Sequence, residues 1–192
     1  EGDIALKPQK YHVLEINEVP PRVAIIGGGA IGCEFASFLS DVGSQVTVLE
    51  ALPQVLNGVD REVADIAIKA FTKRGITVQP AAKVIGIDQS GPELIVRYET
   101  PKGDQQITVD KIIVSVGRSP RTQNIGLENS GVDVDDGGYI TVDSNMRTSH
   151  EGIYAVGDVV PTPALAHVGF AEAIVAIKTI VGEPVSPVEY DK

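Results

Sequence analysis

The sequence predicts an α/β fold: a Rossmann-like parallel sheet flanked by helices, with an inserted three-stranded antiparallel meander. Three observations carry this. Apolar β-type runs alternate with helical patterns over residues 22–79, in the order β-α-β-α-β. Three short, closely spaced strand patterns with polar turns follow over residues 83–109. A continuous apolar run at residues 111–116 then returns, as a buried parallel strand would.

Taken in order, residues 1–20 form a lead-in segment with Pro8 and Pro20 and little periodicity. Residues 22–26 (RVAII) read as a strand and residues 30–42 as a helix ending before Gly43. Residues 45–50 (QVTVLE) are rich in β-branched side chains and read as the second strand. Residues 60–74 give the clearest helix, with Val63, Ile66, Ala67, Ala70 and Phe71 at the spacing of one inward stripe. Asp60 suits its N-cap, Lys73 and Arg74 its negative end, and Gly75 its close. Residues 76–79 are a third strand. Strands at 83–88, 93–99 and 105–109 make the meander, with Leu94, Val96 and Tyr98 alternating toward one covered face. Further strands are expected at 139–142 and 153–156, and a last helix at 164–181 before Gly182 and Pro184.

Composition narrows the function. A chain of 192 residues that is 43% hydrophobic can fill a core. A net charge of -10 argues against nucleic acid and anionic membranes, which need a basic face. No apolar run approaches the roughly 20 residues of a membrane span. No secretory signal is evident, so a cytoplasmic location is expected. The single cysteine, Cys33, excludes a disulfide within the chain and reads as a small core residue. His12, His150 and His167 are scattered, so no metal site is expected. Opening on Glu1 rather than Met is what a fragment or processed chain would show.

The stretch Gly27-Gly28-Gly29-Ala30-Ile31-Gly32 follows a strand and opens a helix. Gly27 permits the tight turn, Gly29 lets the backbone approach a pyrophosphate, and Gly32 lets helix pack on strand. Free amides and the helix dipole at that helix start hold anionic phosphates. Glu50 ends the second strand 18 residues after Gly32, where an acid can bind both ribose hydroxyls of an adenosine. A carboxylate there also repels a 2′-phosphate, and Ala51-Leu52-Pro53-Gln54 offers no arginine to hold one. NAD is therefore expected over NADP. At residues 153–158 another apolar run ends in Gly157-Asp158, which by itself suits a simple turn as well as an acceptor for sugar-like hydroxyls.

The order GGGAIG, VTVLE, VGRSPRT, TSHEGIYAVGD, ALAH resembles the flavoprotein disulfide reductases, and among them most the dihydrolipoamide dehydrogenase family, over about residues 14–190. The resemblance implies an oxidoreductase that passes electrons from dihydrolipoamide through a disulfide and FAD to NAD. It implies an NAD-binding domain over 21–143 and the C-terminal part of an FAD-binding domain over 144–192. By position, Gly27 to Gly32 would hold the NAD pyrophosphate and Glu50 the adenosine ribose. Val84 would line the adenine site and Gly117 would lie near the nicotinamide. Asp158 would bind the FAD ribityl chain, and Ala164, Leu165, Ala166 and His167 would run under the flavin. Glu34 matches an acid that pairs with a lysine near the flavin, although a helix-surface acid explains it equally.

The same resemblance implies a homodimer and partners among the 2-oxoacid dehydrogenase complex components. It also marks departures. The family's first glycine turn, its CxxxxC disulfide and its C-terminal catalytic His-Glu pair have no match here, so no catalytic residue is assigned and His167 is not the base. The chain alone is expected to be inactive. A mercuric or glutathione-type reductase, and a non-catalytic nucleotide-binding module, remain as alternatives.

Overall fold

A computed structural model of the protein describes residues 13–91 and 93–190. Most of the lead-in segment, with His12, lies outside the described residues. The chain forms two compact units, the first ending at Gly117 and the second beginning at Arg118.

In the first unit, a 3-10 turn at Val13–Glu15 precedes strand β1 (Arg22–Ile26), helix α1 (Ala30–Asp41), strand β2 (Gln45–Leu49), helix α2 (Arg61–Lys73) and strand β3 (Thr77–Gln79). Strands β4 (Lys83–Ser90), β5 (Glu93–Thr100), β6 (Gly103–Val109) and β7 (Lys111–Val114) follow. One sheet has the order β3-β2-β1-β7 with every pair parallel. The other is the antiparallel meander β4-β5-β6. This is the Rossmann-like α/β fold with its inserted meander.

The alternation of side chains along β1 explains the layers. Val23 and Ile25 enter a core with Ala36 and Leu39 of α1, Val46, Val48, Ile76 and Ile113, against which Phe71 of α2 packs. Ala24, between them, points the other way, into a core with Leu49, Ala82, Val96, Tyr98 and Val109. The parallel sheet is thus covered by helices on one face and by the meander on the other, so β1 is buried at three successive residues. Leu94, Val96 and Tyr98 of β5 do face this second core, as their alternation predicts.

Two expectations need correction here. The inward line of α2 runs through fully buried Ala64 and half-buried Phe71, whereas Val63 and Ile66 are 54% and 66% exposed. The stripe is rotated by one residue, with Ala64 rather than Val63 turned inward. The apolar run at 111–116 is covered only in part: Ile113 enters the helix-side core and Ile112 packs on the meander-side core, but β7 is an edge of its sheet, it ends at Val114, and Val116 is 71% exposed.

The second unit is built mostly of turns. Its regular elements are 3-10 turns at Leu127–Asn129 and Gly157–Val159 and helix α3 (Ala166–Val181), closed by Gly182 in the left-handed region at φ 73°. The strands expected at 139–142 and 153–156 reduce to single bridges, Val134 with Ile140 and Arg147 with Tyr154. Their backbone groups find turn and loop partners instead of a ladder: Ile140 N–H donates to the Val159 carbonyl at 2.8 Å and Thr141 N–H to that of Asp133 at 3.1 Å. Apolar side chains still collect, as Val132, Ile140, Ala155 and Val160 in one cluster and Met146, Val175 and Ala176 in another.

Candidate functional site

The glycine turn joins β1 to α1. Gly27 has φ 101°, and a side chain there would collide with the Ser115 carbonyl. A side chain on Gly32 would strike the Gly27 carbonyl. Both glycines are therefore demanded by the protein's own packing. Gly28 is demanded too, since a Cβ would lie 2.6 Å from Val55 Cγ1. Gly29 differs: a Cβ there meets nothing within 4 Å, and its φ of -71° suits any residue. Of the four glycines in this turn, Gly29 alone has no such internal reason, and it faces open space at the helix start.

Gly29 is also the N-cap of α1, and no side chain caps it. The first intrahelical bond is Cys33 N–H to the Gly29 carbonyl at 2.9 Å. The amides of Ala30, Ile31 and Gly32 thus open the helix with no side-chain acceptor, beside half-exposed Gly29 and exposed Ala30 and Ile31. An anion is the natural acceptor at such an end.

Glu50 sits at the rim of this turn. Its carboxylate accepts the Gly28 amide at 2.6 Å and the Leu52 amide at 2.8 Å. Each oxygen keeps lone pairs for a further donor such as a ribose hydroxyl. The segment after Glu50 folds back onto the turn, with Leu56 N–H donating to the Gly28 carbonyl at 2.7 Å. Leu56 takes φ 54° to make that bond, a left-handed conformation that costs a non-glycine residue about 1 kcal/mol or more. Val84, the second residue of β4, packs half-buried on the core of Leu49 and Ala82. Ala82 N–H is bonded to the Glu50 carbonyl at 2.8 Å, which brings the start of β4 to the Glu50 end of the sheet. Gly117, at φ 133°, has open space where a Cβ would stand.

Glu34 is exposed on α1 and has no hydrogen bond or ion pair among the described residues. Cys33 is buried, its thiol 3.5 Å from the Gly28 carbonyl, and burial pushes that thiol up from its ordinary value. Sequence reasoning missed Ser115, whose hydroxyl donates to the Gly27 carbonyl at 2.9 Å and lies 3.2 Å from that of Ile26. The signal was a lone polar residue in the run KIIVSV. It also missed Val55 and Leu56, which lie in a loop without periodicity.

In the second unit, Asp158 lies in the 3-10 turn that begins at Gly157, itself at φ 75°. Its carboxylate is paired with Arg118, both side chains being about half exposed. Ala164, Leu165, Ala166 and His167 are exposed and lead into α3, whose N-cap Leu165 also offers no side-chain cap. The residue that organises this region is Glu172, which sequence reasoning missed. It is fully buried and bonded to Gly157, Thr162 and Tyr190. A single acid in the otherwise apolar AHVGFAEAIVAIKTIV was the available signal.

Residues 6–173 match the family described as pyridine nucleotide-disulphide oxidoreductase. The dihydrolipoyl dehydrogenase of Thermus scotoductus is 42% identical over 167 residues, which are 86% of this chain and 36% of that protein. That of Geobacillus stearothermophilus is 38% identical over 177 residues, 92% of this chain and 37% of that protein. Among solved structures, the HOCl-induced flavoprotein disulfide reductase RclA from Escherichia coli superposes with a TM-score of 0.82 at 29% identity, covering 93% of this chain and 40% of that one. LpdA from Mycobacterium tuberculosis gives 0.83 at 28%, covering 92% and 38%. The chain therefore spans little more than a third of the length of the relatives it matches.

Proposed function

We propose a dinucleotide-binding role for this chain, which belongs to the pyridine nucleotide-disulphide oxidoreductase family. Residues 21–143 bind NAD, and residues 144–192 contribute one wall of an FAD site. The observation that carries the reading is the uncapped start of α1 at Gly29, open to solvent and set beside the Glu50 carboxylate. The residues fit the cofactor: amides for a pyrophosphate, an acid for a ribose, and no side chain in the way.

When bound, a nicotinamide supplies the hydride chemistry; the chain supplies position and charge. The amides of Ala30 to Gly32 would hold the pyrophosphate, and Glu50 would hold the adenosine ribose. Val84 would border the adenine, and the open space at Gly117 would take the nicotinamide end. Asp158 would accept from the ribityl chain of FAD and Ala164 to His167 would line the flavin, while Glu34 is assigned to the cofactor-binding set by the same reading. The overall reaction of the whole protein would be dihydrolipoamide oxidation, for which a disulfide and FAD would carry electrons to NAD. That reaction needs a disulfide and a catalytic pair that have no match among these 192 residues. The identities of 38–42% to dihydrolipoyl dehydrogenases support this reading. A homodimer, association with 2-oxoacid dehydrogenase components and a cytoplasmic location belong to the same proposal. The likeness to RclA favours a second reading, another flavoprotein disulfide reductase.

Titration of NADH fluorescence, excited in the dihydronicotinamide band, tests the nucleotide reading directly. Saturable enhancement, competed by NAD, is expected. No change at any concentration would remove the assignment.

A further inference from the structure

Glu172 is a carboxylate buried at 0% exposure in the middle of an apolar helix. Such burial costs several kcal/mol unless donors surround the charge. Here they do. Gly157 N–H donates to Oε2 at 2.6 Å, the Thr162 hydroxyl to Oε1 at 2.6 Å, and the Tyr190 hydroxyl to Oε1 at 3.0 Å. One acid thus gathers the turn, the loop after it and the segment after α3. Helix α3 passes close to the turn here: a Cβ on Gly169 would stand at van der Waals contact, 3.5 Å, from the Gly157 Cα. An apolar residue would fill the same helix position without the desolvation cost, so the acid answers a need for direction rather than for packing. The bond to Gly157 is the telling one, because the next residue is Asp158. Gly157 is left-handed, and the residue before it is extended with no side-chain cap on the turn. Two side chains hold that turn: Glu172 accepts the Gly157 amide of its backbone, and Arg118 pairs with the Asp158 carboxylate.

We propose that Glu172 is a positioning residue, which by accepting the Gly157 amide fixes the Gly157-Asp158 turn in the direction that presents Asp158 to the polyhydroxyl chain of a flavin. This rests on the reading of Asp158 as a flavin ligand given above. Tyr190 fits the arrangement: its phenol is pushed up to about 12 by burial, by its bond to Glu172 and by the acid's charge.

The test uses the nitrogen-15-labelled chain with Glu172→Gln, Glu172→Ala and Glu172→Met. In the glutamine variant the amide oxygen still accepts Gly157 N–H, while its NH2 faces hydroxyls of Thr162 and Tyr190 that can turn to accept. Amide hydrogen exchange of Gly157 is expected to be near the original in Glu172→Gln and faster by about tenfold or more in Glu172→Ala or Glu172→Met. Val175 and Ala176 amides should stay protected in all, showing that α3 is in place. Gly157 exchange that is unchanged in whichever of Ala and Met folds, or glutamine behaving as alanine, overturns the clamp. Addition of FMN, followed at the Asp158 amide, addresses function. The original and glutamine chains should respond, and the alanine or methionine chain more weakly by about tenfold. Equal responses overturn the positioning role. No response from the original chain removes the flavin reading and the positioning role with it, while the Gly157 exchange still decides whether the clamp exists.

Discussion

The Glu50 carboxylate holds the Gly28 amide at 2.6 Å, so the acid that ends β2 is bonded to the turn that ends β1. A charge proposed to recognise a ribose also shapes the loop that would hold the pyrophosphate. NADH is accordingly expected to bind more tightly than NADPH, whose 2′-phosphate would meet this carboxylate. Calorimetric titration of both nucleotides checks it, and equal affinities would contradict it. Glu50→Ala should weaken NADH by about 1–3 kcal/mol, the scale of a charge-assisted hydrogen bond. It should also lower the melting temperature, because the buried Gly28 amide loses its side-chain acceptor.

Gly29 and Gly32 should separate binding from folding. Gly29→Val puts its side chain into space that the protein leaves open, with a backbone any residue adopts. The fold should survive while NADH affinity drops by about two orders of magnitude or more, from blocked approach to the amides. Gly32→Ala drives a Cβ into the Gly27 carbonyl and should lose stability whether or not nucleotide is present. Circular dichroism melts beside NADH titrations distinguish the two. A folded Gly29→Val that binds normally would remove the pyrophosphate from this turn.

These cases show what was legible in the sequence. Strand, glycine turn, helix and acid lie within one short stretch, and their spacing expresses local geometry that residue type alone reports. The ends of α2 were legible for the same reason: Asp60 caps by accepting the Glu62 amide at 2.9 Å, and Gly75 follows at φ 83°. Which side of α2 turns inward was not, because Val63 and Ala64 are adjacent and the sheet decides between them. The strands expected at 139–142 and 153–156 failed on the same ground. Pairing is settled by neighbours far along the chain, and here Val159 and Asp133 supply turn-like partners. Glu172 reads as an anomaly in an apolar helix until its three donors are seen together.

Tyr190 sets an alkaline limit on the second unit. Its ordinary value is near 10, and in the folded chain it is pushed up to about 12, first by burial and then by Glu172. Folding therefore favours the protonated phenol. The stability it contributes is complete below about pH 10 and is lost as pH rises toward 12. Denaturant melts across that window should fall more steeply for the original chain than for Tyr190→Phe. Parallel curves would show that the phenol is not held as described.

The last expectation concerns what this chain does by itself. Disulfide exchange needs an attacking thiolate and a partner sulfur. The chain has one cysteine, Cys33, buried in α1 with its thiol pushed up by burial, so it offers neither. The flavin elements present are Asp158 and the exposed lead into α3, one wall of a site, and no second glycine turn of the Gly27 to Gly32 kind stands among the described residues to take a second adenosine. On α3, Phe170, Ile174, Ile177 and Val181 form an exposed apolar line at helical spacing, from 59% to 74% bare. Surface of that kind binds apolar dyes and promotes association. The purified chain should thus be colourless, inactive in dihydrolipoamide-dependent NAD reduction, and responsive to a hydrophobic dye, with Ile174→Glu reducing the dye signal. A visible spectrum, the turnover assay and dye titration check the three points in one preparation. A near-stoichiometric yellow flavin, or steady turnover, would mean that these 192 residues assemble a complete flavin centre without a second thiol.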